Sequence, residues 1–201
     1  MLATRETIKR VLDATTDKVK GLGIFDDIAY EVRIPEDDVR DEVRRPKYIH
    51  EGWDVTFTGV VSPMKAKAEF CIWGNWGVII PGIDTTNSDN LFFGKNHVDT
   101  FARTVTAVLL MKYLSMRLGK QPDIPPILHH KKEGTTKCIF YLSNGKLSDN
   151  ELAIAINFPK RATRPRLEIL LGSTGKVISA VSISNYRLEK IISALTFAVA
   201  V

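Results

Sequence analysis

Twice along this chain, four short strand-like segments are closed by one amphipathic helix. The first cycle spans residues 28–118 and the second spans 137–201, with residues 119–136 between them and a helical segment over 1–23 in front. A strand alternates its faces every second residue, whereas a helix repeats every 3.6, so the change of period marks each boundary. Within a cycle the connections are too short for parallel crossovers, which need a dozen residues or more. The pattern predicts an α+β chain of antiparallel sheets braced by helices, folded as a single domain over 1–201.

Several segments carry the pattern clearly. Residues 53–61 (WDVTFTGVV) put Trp53, Val55, Phe57 and Gly59 on one face and Thr56, Thr58 and Val60 on the other. Strands are also expected over 28–34, 67–73 and 76–80, with Gly74-Asn75 as a hairpin turn. In the second cycle they fall at 137–142, 151–158, 166–171 and 176–183. Ile8, Val11, Leu12 and Val19 make the buried stripe of the first helix, capped by Thr4 or Thr7 and stopped at Gly21 and Gly23. Val98, Phe101, Val105 and Val108 make the next stripe, ended by Gly119 and Pro122, and Leu188, Ile191, Leu195 and Ala198 repeat its spacing. The three prolines of 121–136 (QPDIPPILHHKKEGTT) read as an irregular crossover.

Charge is distributed unevenly. Residues 1–100 carry 13 Lys/Arg against 17 Asp/Glu, a balance of −4; residues 101–201 carry 15 against 6, a balance of +9. A basic half of this kind suits an acidic partner, phosphate first among candidates. Phosphate-binding candidates are Lys65 and Lys67, Lys131 and Lys132 beside His129 and His130, and the cluster Lys160, Arg161, Arg164 and Arg166. Four cations in seven residues repel one another unless an anion or solvent separates them. Bases of a single strand stack on aromatic faces for roughly 1–3 kcal/mol each. The aromatic candidates are Trp53, Phe57, Trp73, Trp76 and Tyr141. Most strand aromatics belong to a core, so burial decides between stacking platform and packing residue.

The order of elements resembles that of the Whirly family of single-stranded nucleic-acid-binding proteins and its relatives. Met64-Lys65-Ala66-Lys67-Ala68 resembles the family's lysine-glycine-lysine-alanine-alanine signature, with Ala66 where the family has glycine. The resemblance covers roughly residues 28–201 and implies two antiparallel sheets packed back to back, a helical core that assembles subunits into a tetramer, and outward sheet surfaces that take up single strands. It implies DNA or RNA as ligand.

Other chemistries fit the residues poorly. Gly172-Ser173-Thr174-Gly175-Lys176 lacks the GxxxxGK[ST] spacing of a phosphate loop and leads into a strand rather than a helix. No nucleophile-elbow motif is present. The acidic run Glu36, Asp37, Asp38, Asp41, Glu42 is interleaved with Arg40, Arg44 and Arg45, which suits a salt-bridged surface better than a metal site. A non-catalytic protein without metal or cofactor is therefore expected. Cys71 and Cys138 sit in apolar strand-like runs and read as buried free thiols. With no apolar h-region at the start and no long apolar run, the expected setting is cytoplasmic, or a virion if the chain is viral, with no membrane span and no secretion. The alternative reading is a self-assembling viral coat, matrix or nucleocapsid subunit. The charge-free stretch after Lys190 needs a protein cover and points to a homo-oligomer.

Overall fold

The computed structural model describes residues 4–34, 52–74, 76–85, 97–119, 125–131, 135–141, 152–160, 163–171, 175–184 and 187–193. Helix α1 (Arg5–Gly21) leads into β1 (Asp27–Arg33), β2 (Trp53–Val61), β3 (Met64–Ile72) and β4 (Val78–Ile79). Helix α2 (Val98–Leu118) follows, then β5 (Ile127–Lys131), β6 (Thr135–Tyr141), β7 (Leu152–Phe158), β8 (Arg166–Leu171) and β9 (Lys176–Ser182). Residues 187–193 form a last helix, α3.

The strands build two antiparallel sheets, ordered β1-β2-β3-β4 (sheet 1) and β5-β6-β7-β8-β9 (sheet 2). The α+β class and the doubled sheet-and-helix order follow the sequence pattern. Sheet 2 has one strand more than expected. The segment after Pro126, Ile127–Lys131, pairs along β6 from Ile127↔Ile139 to Lys131↔Thr135, so the crossover is not wholly irregular. The prolines all precede this strand, where their missing N–H groups cost no ladder bond. Leu128 then turns into the core.

Two other boundaries shift for local reasons. β3 starts at Met64, directly across the Ser62-Pro63 turn from Val61, so Lys65 and Lys67 both lie inside the strand. β4 is only two residues long because Trp76 takes a left-handed backbone at φ 70°, which no strand accommodates.

Helix α2 explains the architecture. It packs on β2 and β3 of sheet 1, on β6 and β7 of sheet 2, and on α1. Among the described residues the sheets meet through this helix rather than face to face, which differs from the back-to-back arrangement that the family resemblance implies. Its residues from Thr104 to Met111 are all buried. The hydroxyls of Thr104 and Thr106 donate to the carbonyls of Thr100 and Ala102 (3.0 and 2.8 Å), which satisfies both groups inside the core. Phe101 meets Phe57 and Phe70 edge-on with ring centroids 5.9 and 5.3 Å apart. Gly119, at φ 62°, closes the helix as a left-handed cap.

Helix α1 is capped as expected, Thr4 Oγ1 accepting from the Thr7 N–H at 3.2 Å, and it buries Ile8, Val11, Leu12 and Val19. One continuous core joins residues of both sheets and all three helices. A backbone link also ties the segment after β4 to the start of β5. The Asp84 N–H donates to the Pro126 carbonyl and the Leu128 N–H donates to the Asp84 carbonyl, each at 2.8 Å. Among the described residues no helix is long and apolar enough to cross a membrane.

Candidate nucleic-acid interface

Each sheet turns one face to α2 and one away from it. In sheet 2, Cys138, Ile156 and Leu167 belong to the central core, so the residues between them point outward. Register then places side chains in rows across the strands. One outward row reads His129, Lys137, Asn157, Arg166 and Ser182; the next reads Ile127, Ile139, Ala155, Glu168 and Ala180. Ala153, Ala155 and Leu170, with Ile139 beside them, form a small apolar cluster of their own. Sheet 2 is thus polar and basic in the row through Lys137 and Arg166, while Ala153, Ala155 and Leu170 beyond it are buried.

The β7–β8 loop leaves from the basic end. Lys160, Arg164 and Arg166 are exposed and have no ion-pair partner among the described residues. Lys137 is engaged, with Nζ 2.9 Å from Oε2 of Glu168, outside hydrogen-bond alignment. Glu168 is buried and also accepts from Asn157 Nδ2 at 2.6 Å. Thr163 of this loop lines a cleft of about 310 Å³ together with Lys18 of α1, Asp99 and Arg103 of α2, and Phe158. Lys18 pairs with Asp99 there at 2.5 Å, and the Arg103 guanidinium stands 5.9 Å from the centre of the Phe158 ring.

Sheet 1 does not extend this surface. Lys65 and Lys67 are exposed on its outward face, but their neighbours there are Asp27, Glu31, Arg33, Asp54 and Glu69. Four carboxylates against three cations leave the face slightly acidic. Trp73, 41% exposed, stands past the far end of β3 from the lysines, with Trp76 half-buried beside it. The two form a turn in which Trp76 N–H donates to the Trp73 carbonyl at 2.8 Å.

Two of the aromatic candidates are corrected by burial. Trp53 and Phe57 are 0% exposed, because the alternation of β2 aims both at α2, so neither offers a ring to a base. Tyr141 closes β6 opposite Ala153, and Lys131 closes β5 opposite Thr135. Lys132, Arg161, the acidic run 36–45 and the end of the chain beyond residue 193 lie outside the described residues. Lys137, Asn157 and Glu168 were not singled out in the sequence. Alternation in Lys137–Leu142 gives the outward direction of Lys137, but its neighbours come only from pairing.

The thiols are free and occupy different settings. Burial pushes Cys138 up to about 12. Cys71 is half-buried on the outward face of sheet 1, not enclosed as expected, and partial burial together with the Asp54 carboxylate raises its pKa. Comparison with known proteins finds no family model, no curated protein and no solved structure that matches this chain.

Proposed function

We propose that this chain binds single-stranded nucleic acid, without catalysis and without reading sequence, across the basic end of sheet 2. One observation carries the reading: Lys160, Arg164 and Arg166 are exposed, unpaired among the described residues, and set at the end of sheet 2 where Arg166 shares an outward row with Asn157 and Lys137. Phosphates fit the cations, and Lys137 and Asn157, both half-buried, lie in the same row as Arg166. The doubled sheet-and-helix order supports the same reading by its resemblance to the order of elements in the Whirly family.

Anisotropy of a labelled oligo-dT or oligo-U titrated across salt concentrations tests it. Three cations neutralising phosphates of a single strand predict a log–log salt slope of about −2. No binding at low salt, or binding indifferent to salt, overturns the proposal.

A self-assembling subunit is the second reading. Val177 and Ile178, 45% and 57% exposed on the edge strand β9, favour it.

A further inference from the structure

The outward face of sheet 1 has a chemistry complementary to that of sheet 2. Across its centre Glu31, Thr56 and Glu69 share one row, and the next holds Arg33, Asp54, Cys71 and Ile79. These rows border a cleft of about 470 Å³, closed on one side by Pro81. Glu31 and Glu69 have no ion-pair partner among the described residues. At the end of the face the Trp73 indole lies over Gly52, where an added Cβ would come within 3.2 Å of the ring. Ile79 is 55% exposed beside it. Carboxylates, an open indole and an exposed isoleucine therefore share one face.

The matching surface is on the same chain but out of its own reach. Lys160, Arg164 and Arg166 are exposed cations at one end of sheet 2 with no ion-pair partner among the described residues, and exposed Val177 and Ile178 are on the same sheet. Helix α2 stands between the sheets, so a molecule cannot lay one of these faces on the other. We propose that the acidic, tryptophan-bearing face of sheet 1 docks the basic end of sheet 2 of a second copy. The two patches differ, so the contact is heterologous and repeats head to tail rather than closing about a two-fold axis. The copies and a nucleic acid compete for the same cations, and this competition alone rests on the function proposed above.

Sedimentation velocity of the full chain, free of nucleic acid, is the test. At about 50 mM salt the mean mass rises with protein concentration, and at about 500 mM, where screening reaches only a few ångströms, it falls to that of one chain. Glu31→Lys with Glu69→Lys removes the association, as does Lys160→Glu with Arg164→Glu and Arg166→Glu. Mixing the two variants restores one contact, seen as a one-to-one pair, because each supplies the face the other has lost. Should either set fail to fold by circular dichroism, Glu31→Gln with Glu69→Gln weakens association about fivefold or more by removing charge alone. A wild-type chain that is monomeric at low salt, or an assembly indifferent to both variant sets, overturns the contact. The function is judged separately, by oligonucleotide binding of Glu31→Lys with Glu69→Lys: retained binding leaves it standing whatever the mass shows.

Discussion

The Tyr113 hydroxyl donates to Oε1 of Glu189 at 2.6 Å, across 76 residues of sequence. Arg117 Nη2, one turn further along α2, reaches the other oxygen of the same carboxylate at 2.7 Å. One side chain of α3 thus holds two of α2, and Leu188 and Ile192 bury the remainder of that contact. Glu189→Gln is expected to cost about 1–3 kcal/mol in a denaturant titration, and Tyr113→Phe about 1–2 kcal/mol. Unchanged midpoints for both would show that apolar packing alone seats α3.

Alkaline pH is expected to destabilise the fold. Burial first, then the bond to Glu189, pushes Tyr113 up to about 12; burial and Asp13 do the same for Tyr30. Cys138 is raised to about 12 by burial. Each group is neutral when protonated and each pKa is raised by folding, so the folded state keeps its protons longer than the unfolded chain. Their contribution is complete below the ordinary thiol value of about 8.5 and is lost as pH climbs toward 12. Thermal melts from pH 8 upward should fall across that window, with Cys138 inert to thiol reagents until unfolding. A flat melting profile to pH 12 would contradict it.

The tryptophans should separate cleanly. Trp53→Ala empties a fully buried site beside α2 and is expected to cost about 3–5 kcal/mol. Trp73→Ala, on the exposed turn, should stay within about 0.5 kcal/mol of wild type and leave oligonucleotide affinity unchanged. Reduced oligonucleotide affinity in Trp73→Ala would place the ligand on sheet 1.

Cation removal tests the sheet assignment. Arg164→Ala with Arg166→Ala should make the salt slope shallower by about 1.4 and weaken binding evenly across sequences. Lys65→Ala with Lys67→Ala, on the slightly acidic face, should leave both quantities alone. The reverse result moves the interface to sheet 1.

Much of the fold was legible in sequence. The strand Trp53–Val61 and the buried stripes of α1 and α2 follow from period alone, because a half-buried element must repeat its apolar residues at its own geometric period. The hidden strand β5 was not legible. Ile127–Lys131 is short, follows two prolines and contains two histidines, and it is a strand because β6 offers it a ladder. The candidate site was legible in part. The cluster around Arg164 stands out as a charge run, whereas the row that joins Arg166 to Asn157, Lys137 and His129 comes from four separate stretches of chain.

By itself the sequence determined the order of elements, the inward and outward sides of most strands, and the uneven placing of charge. Those are local properties, set by alternation and composition. Tertiary structure decided that Trp53 is core while Trp73 is open, that sheet 1 is slightly acidic despite Lys65 and Lys67, and that α2 keeps the two sheets apart. The reason is physical. Burial and neighbourhood depend on cross-strand register and on where a helix docks, and both arise from contacts between residues far apart along the chain.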